Sequence, residues 1–493
     1  MRKSLRIFGI GLVFCGLLAA TLIAWPSRYP PMPDPGTSRI IDNVRIVDVV
    51  TGTVGQSQSL LIREGRIAAI GQIEASSALP RHDAGGAYAL PAFWDMHVHS
   101  FQSSPQMHFP LWVANGVLNV RDMMDCPGLS DTLIACAQDK ARWNREIAAG
   151  TLSAPRIVET SSFYLARADM SPEEARAQVI RAKQRKIGAV KVYNDLPPDA
   201  FRAAAAEADA QGMKLTGHLP RAVTLEAALT AGQDTFEHAH LLPRHCSAKN
   251  EAWRAGELDG MSPTQQVKTL VDSYEEARCT AAFGSLNGAG AYLVPTHVTR
   301  EEDARAGDPA FLDDPRLAYL DPLSRWARND DLDAVASRFP GRQGQDALDA
   351  YFLHGLALTK AAKNAGVTVL VGTDTALGGF RYHDELAHLG SAGLSPAEIL
   401  RAATIDAARY AGESETAGTL EPGKRADLVL LAANPLENIA ATREIRAVVA
   451  GGRLYDRQRL DALLASVVQQ AGAPHNWAKL LWAFARSSMA SEM

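Results

Sequence analysis

Apolar and polar residues repeat with two different periods along this chain, and the change of period divides it. Residues 38–90 carry short β-type runs: the apolar stretch 40–47, the turn-rich Thr51-Gly-Thr-Val-Gly55, then 59–63 and 66–70 joined by Glu64-Gly65. Period-two alternation bounded by turn residues predicts strands and hairpins. Residues 426–431 and 445–450, the latter followed by Gly451-Gly452, have the same texture. Two such stretches flanking a long middle predict one small β-sandwich domain assembled from residues 38–90 and 416–456.

Over residues 91–415 the pattern is different, with apolar runs alternating with Ala-rich helical segments. The predicted strands include residues 116–120, 189–193, 214–217, 292–295 and 367–371, and the predicted helices include 172–186, 198–211 and 225–231. Repeated β-then-α places the chain in the α/β class. The simplest closure is a (β/α)8 TIM barrel, whose chemistry gathers at the C-terminal ends of its strands. Residues 299–363 exceed what a strand-to-helix link requires and carry Trp326 and Phe339, so a helical excursion over the barrel mouth is expected. The tail, residues 457–493, holds an amphipathic helical pattern at 460–485. Packing against the body is its ordinary reading and membrane contact the alternative.

The N-terminus departs from this globular average. Arg2, Lys3 and Arg6 precede the uncharged apolar run 7–25, and a Pro-rich stretch, 26–35, follows. Residues 1–37 are therefore expected to form an export signal or membrane anchor with its linker, leaving the body periplasmic or membrane-anchored outside the cytoplasm. Apart from Cys15, the cysteines are Cys126, Cys136, Cys246 and Cys279. An even number in an exported body permits disulfides, and nearest-neighbour pairing is one of three arrangements. None has a zinc-type C-x-x-C spacing. At 493 residues, 47% hydrophobic and 21% charged, the chain can bury a sizeable core and divide into more than one domain. A net charge of −5 and the lack of a basic stripe argue against a nucleic-acid partner.

The candidate chemistry begins in Leu90-Pro-Ala-Phe-Trp-Asp-Met-His-Val-His-Ser100. Alternation along a strand puts His97 and His99 on one face, where two imidazoles can grip one metal ion. The pair is weak evidence alone, because chance spacings occur among thirteen histidines. Lys191 lies inside the apolar Ala189-Val-Lys-Val-Tyr193, where an unpaired ammonium is costly. Burial lowers a lysine's pKa, and the neutral amine can take up carbon dioxide as a carbamate, an anionic bridging ligand. Otherwise its head reaches solvent at the strand end. His218, His238 and Asp374 each end a predicted strand. Singly, each has a structural reading, as a hydrogen-bonded core histidine or a helix N-cap. Together they are four histidines, one lysine and one aspartate at five strand ends, which chance explains poorly.

Tyr193 shares a strand face with Lys191 and is a candidate contact for a substrate carbonyl or carboxylate. His297 ends the next predicted strand and is a candidate for oxyanion or substrate binding. His240 remains unassigned. Arg121-Asp122 reads as a substrate-carboxylate site or, more plainly, as groups in internal ion pairs.

The ordered motifs Asp95-Met-His-Val-His99, Val190-Lys-Val-Tyr193, Thr216-Gly-His-Leu-Pro220, Phe236-Glu-His238 and Val371-Gly-Thr-Asp374 resemble the amidohydrolase superfamily of metal-dependent hydrolases. So do Leu394-Ser-Pro-Ala-Glu-Ile-Leu-Arg-Ala-Ala-Thr404 and Gly418-Thr-Leu-Glu-Pro-Gly-Lys-Arg-Ala-Asp-Leu-Val-Leu430. The likeness is to the binuclear, carboxylated-lysine type and its prolidase and imidazolonepropionase-like branch, which includes ochratoxin-type amidases. The resemblance implies that His97, His99 and Asp374 hold one metal, that His218 and His238 hold a second, and that carboxylated Lys191 bridges them. Zinc suits these ligands, as manganese, cobalt or nickel would. It further implies that a metal-bridging hydroxide cleaves a C–N bond while Asp374 moves the proton. The implied substrate is a dipeptide (Xaa-Pro or C-terminal residue) or an N-acyl amino acid. A cyclic amide, lactone or phosphotriester at the same site is the alternative, and a metal-free binding scaffold is the alternative of a different class. Oligomeric state is open.

Overall fold

The computed structural model describes residues 16–74 and 78–488. The basic residues Arg2, Lys3 and Arg6 and positions 7–15 of the apolar run lie outside the described residues. Residues 16–24 are helical. No helix among the described residues is long and apolar enough to cross a membrane.

The β-rich ends meet in one sheet. Its strands are β1 (Arg39–Asp48), β2 (Thr53–Arg63), β3 (Arg66–Gly71) and β4 (Arg81–Pro91) from the first stretch, and β13 (Leu428–Leu431), β14 (Ile445–Ala450) and β15 (Arg453–Asp456) from the second. The order is β15-β14-β13-β4-β1-β2-β3, with β4 pairing antiparallel to β13 and parallel to β1. The expected sandwich of two layers is thus one seven-stranded sheet. That sheet folds over on itself: at its β3 edge the Ile67 amide donates to Lys424 O and the Ala426 amide to Gly65 O. Leu60, Ile62 and Ile67 from one end of the sheet therefore share an apolar cluster with Leu428, Leu430 and Val449 from the other.

The remaining strands are β5 (Phe93–Val98), β6 (Val117–Asp122), β7 (Arg156–Thr160), β8 (Ala189–Val192), β9 (Lys214–Gly217), β10 (Thr235–Glu237), β11 (Tyr292–Val294) and β12 (Thr368–Val369). They pair in parallel as β5-β6-β7, β8-β9 and β10-β11-β12. Helices connect successive strands, so the fold is mixed α/β. The expected continuous ladder is interrupted, because the strands are short and β7 meets β8, like β9 and β10, only through single parallel bridges, Ser161↔Ala189 and Leu215↔Gln233. At the far end the Met96 amide donates to Val371 O at 2.8 Å and the Asp374 amide to His97 O at 2.7 Å, joining the first strand to the segment after β12.

Sequence explains these elements locally. All six residues of β5 and all four of β8 are buried, as expected of strands covered on both faces. Pro198–Ala210 buries Phe201 together with Ala200, Ala203, Ala204, Ala205 and Ala208, whose small side chains let the helix lie close to the strands. Ser171 and Glu174 form a capping box that starts Pro172–Gln184, as Ser395 and Glu398 do for Pro396–Ala402. The excursion after β11 is helical, containing His297–Ala304, Pro322–Arg338 and Gly341–Asn364. The single helix expected over 460–485 is instead two, Arg457–Ala471 and Pro474–Phe484. Pro474 has no amide hydrogen to continue the first helix and serves as the first residue of the second.

Disulfides join Cys126 to Cys136 and Cys246 to Cys279. The sequence separations are 10 and 33 residues. In the loop-entropy model these correspond to about 2.7 and about 3.7 kcal/mol of stabilisation. Replacing both cysteines of a pair with Ala is therefore expected to lower the unfolding free energy in urea for each pair, by about 1 kcal/mol more for Cys246–Cys279. An equal or reversed order would show that native-state packing, rather than loop length, governs the two bonds.

Candidate metal centre

The groups singled out at the strand ends converge on Asp374. Its Oδ1 lies 3.0 Å from His99 Nε2 and 3.7 Å from His97 Nε2, and its Oδ2 lies 3.8 Å from His238 Nε2. His238 Nε2 in turn faces His218 Nε2 at 3.0 Å. One carboxylate therefore spans two imidazole pairs, one from β5 and one from the ends of β9 and β10. The coordinating atoms of His97, His99 and Asp374 all lie within 4.8 Å of one another.

Three of the four rings are held by an acceptor at Nδ1. His97 Nδ1 lies 2.9 Å from Glu237 Oε2, His218 Nδ1 lies 2.8 Å from Asn194 Oδ1, and His238 Nδ1 lies 2.7 Å from Thr296 Oγ1. An imidazole that donates from Nδ1 presents the lone pair of Nε2. His97 Nε2 is buried without a hydrogen-bond partner. Burial lowers the pKa of His218 well below the ordinary histidine value, and that of His238 to about 3, so both rings are neutral. Two neutral Nε2 atoms facing each other, with a carboxylate beside them, suit a cation between them better than a proton. The donor set, imidazole and carboxylate, fits a divalent transition metal.

Glu237 fixes His97 through a second contact. Its Oε1 accepts from Arg121 Nη2 at 2.7 Å and from Thr235 Oγ1 at 2.6 Å. Burial alone would raise this carboxyl, but the Arg121 charge and the His97 and Thr235 contacts outweigh burial and carry it down to about 2. Arg121 is thus an internal partner of Glu237, and Asp122 pairs with Lys140 Nζ at 2.9 Å. Neither is placed to receive a substrate carboxylate.

Lys191 is buried, and burial lowers its pKa. It forms no ion pair among the described residues, yet its charge is felt at His99 and His218. Tyr193 lies against His218, with ring centroids 4.1 Å apart, and burial raises its phenol. His297 is fully buried near Phe352, with neither ring nitrogen partnered, and burial pushes its pKa to about 3. His240 stacks on His238 at 5.5 Å with its Nδ1 unpartnered.

The backbone is bent to achieve this. His238, Thr296 and Asp374 have φ of 71°, 44° and 49°. Left-handed geometry costs about 1–3 kcal/mol for such residues, most for a β-branched threonine, and concentrates at functional sites. Space is equally constrained: a Cβ on Gly372 would lie 2.5 Å from Val294 Cγ1 and 2.9 Å from His97 Cβ, and one on Gly217 would lie 2.3 Å from Val192 O. Asp374 opens on a cleft of about 510 Å³. Its apolar walls include Trp326, Leu332 and Val335 from Pro322–Arg338 and Leu480 and Phe484 from Pro474–Phe484; of its charged residues, Arg300 is paired with Asp303 at 2.6 Å, and Arg328 shares the lining with Glu302 and Asp331. Tyr193 and His297 do not line this cleft.

The fixing residues Glu237, Asn194 and Thr296, and the buried Asp95, are absent from the sequence-derived set. Asp95 and Glu237 fall inside the motifs Asp95-Met-His-Val-His99 and Phe236-Glu-His238, whereas Asn194 and Thr296 carry no such signal.

Comparison with known proteins fits this geometry. Residues 349–455 match the family described as "Amidohydrolase family". A stretch of 100 residues is 37% identical to ochratoxinase of Aspergillus niger, spanning 20% of this chain and about a fifth (21%) of that one. Among solved structures, bottromycin amidohydrolase superposes with a TM-score of 0.64 at 22% identity, covering 92% of this chain and 93% of its own. A Xaa-Pro dipeptidase with bound methionine superposes at 0.61 and 17% identity, covering 85% and 100%.

Replacing Asn194 with Ala removes the acceptor that orients His218. Metal affinity, measured by competition with a chelator, is expected to fall about 10–100-fold while thermal stability changes little. An unchanged affinity would mean that the Asn194 contact does not set the ring.

Proposed function

We propose, for a chain with amidohydrolase-family sequence over residues 349–455 and the fold of prolidase-like amidohydrolases, that it is a metal-dependent hydrolase of amide C–N bonds. The observation carrying this reading is the position of Asp374, whose two oxygens face separate imidazole pairs. His97, His99 and Asp374 would hold one ion and His218 and His238 another, with Lys191, as its carbamate, between them. Zinc is the metal proposed. Two such cations, when bound, supply a nucleophilic water at neutral pH and polarise the scissile carbonyl.

The chain's own residues supply the rest. Burial works against the charge of Asp374, and the contact with His99 Nε2 at 3.0 Å favours it, so that the carboxyl is held well below its ordinary pKa. Ionised and at the floor of the cleft, Asp374 accepts the proton of the attacking water at one oxygen and delivers it to the departing nitrogen. The apolar walls favour a substrate with an apolar group beside the scissile amide, as in an N-acyl amino acid or a dipeptide. We read β5 to β12 as a (β/α)8 barrel, supported by the hydrogen bonds that link β5 to residues 371–374. The basic and apolar N-terminus and two disulfides support an exported location, periplasmic or membrane-anchored outside the cytoplasm.

Asp374→Asn is expected to lower kcat by about 10²–10⁴-fold on the best substrate of an N-acyl amino acid and dipeptide panel. Metal content, measured in parallel, should stay substantial, because the four histidines remain. Wild-type turnover in this variant would sink the mechanism. Exhaustive dialysis against a chelator should abolish activity, and added zinc should restore it; activity that persists with metal below one ion per chain would favour a metal-free reaction.

A further inference from the structure

The C-terminal helix Pro474–Phe484 presents apolar residues on more than one side. On one, Leu480 and Phe484 line the cleft that opens on Asp374. Around the rest of its circumference, Trp477, Leu481 and Trp482 are 36%, 57% and 49% exposed. No residue of the helix is fully buried, so its packing against the body is partial. Several large apolar side chains left exposed on one short helix mark a surface that meets another apolar phase.

The N-terminal segment indicates which phase. The uncharged run 7–25 ends at Trp25, whose ring lies 6.1 Å from His475 of this helix. Two residues on, Ser27 Oγ accepts from Lys479 Nζ at 2.8 Å. Trp25 and Tyr29 are themselves 49% and 59% exposed, so the aromatic surface continues from one segment to the other. Leu17 and Leu18, in the helical residues 16–24, are exposed as well. Arg28, Lys479 and Arg486 surround the patch, with Arg486 placed 5.2 Å over the Trp482 ring. Tryptophan and tyrosine interleaved with cations is the composition of a membrane–water interface, where the rings sit among headgroups and the cations meet lipid phosphates.

We propose that Trp477, Leu481 and Trp482, together with Trp25 and Tyr29, rest on the phospholipid surface where the N-terminal apolar run enters the bilayer. The cleft walled by Leu480 and Phe484 then opens beside that surface. An apolar run gives one membrane signal and the exposed side chains of the helix a second, which fixes orientation as well as attachment. This assignment depends on the N-terminal run being embedded and is independent of the reaction catalysed at Asp374.

The test uses the full chain reconstituted into vesicles of phosphatidylcholine and phosphatidylglycerol, with plain or brominated acyl chains. Bromine quenches tryptophans at bilayer contact, and subtracting the emission of a Trp477→Phe/Trp482→Phe variant isolates two of the eight tryptophans. That difference signal is expected to lose about half its intensity in brominated vesicles. An equal signal in both vesicles, with Trp25 still quenched, would overturn the proposal. A nitroxide at Leu481→Cys in a Cys15→Ala background gives an independent reading. Greater accessibility to oxygen than to an aqueous nickel complex supports lipid contact, whereas the reverse, or cross-linking of two copies through that cysteine, refutes it.

Discussion

Asp95 ties the first parallel strand to the last, and the candidate site depends on that tie. The carboxylate accepts from the His97 amide at 3.2 Å, from the Thr373 amide at 3.0 Å and from Thr373 Oγ1 at 2.6 Å. It is fully buried, and burial pushes its pKa to about 7. A carboxyl in that position is tolerated only because its oxygens are occupied by donors of fixed geometry. Those donors set the register in which Met96 meets Val371 and His97 meets Asp374. A slip of one residue would turn every side chain of either strand to its other face. Asp374 would then leave the two histidines that it faces.

Around that register the fold accepts local cost for placement. Three successive strand ends carry left-handed residues, His238, Thr296 and Asp374, and two of the three are candidate ligands. The third, Thr296, holds the ring of His238. The Arg121–Glu237–His97 chain is a buried ion pair extended to an imidazole, an arrangement whose desolvation offsets much of its attraction. Its physical yield is orientation: a ring with Nδ1 engaged has one tautomer and one direction for Nε2. Strain and buried charge both lie where a metal would be gripped, and the apolar clusters elsewhere supply the stability that sustains them.

Sequence made the site residues more legible than their surroundings, for a physical reason. Histidine, lysine and aspartate at the ends of apolar runs are conspicuous, because such residues are costly there without a purpose. His97, His99, His218, His238 and Asp374 stood out on that ground and do converge. Asn194 and Thr296 did not, since a single uncharged acceptor in a loop resembles any other turn residue until the chain is folded. His297 shows the limit of the same reasoning. It stands beyond the end of β11 as the first residue of the helix His297–Ala304, and its ring lies near Phe352 and does not line the cleft. Among the elements, Lys214–Gly217 matched its expected bounds, whereas β7 went unseen because Arg156–Thr160 includes Arg156 and Glu159 within five residues. The break at Pro474 was visible as a residue but was overridden by the apolar periodicity on both sides.

Chemistry and selectivity occupy different parts of this chain. The ligand residues sit at the ends of strands locked by Asp95 and by buried side chains, where a shift of one ångström would be resisted by the packing on both faces. The cleft walls come instead from Pro322–Arg338 and Pro474–Phe484, of which the first buries only Leu332 and the second buries nothing. Helices held by so little packing are the elements that can shift or be remodelled without disturbing the strand register. Substitutions in Trp326, Val335 or Leu480 therefore act on which substrate is held, while the groups around Asp374 stay as they are. That separation leaves the arrangement of histidines fixed while two helices outside the parallel strands shape the cleft.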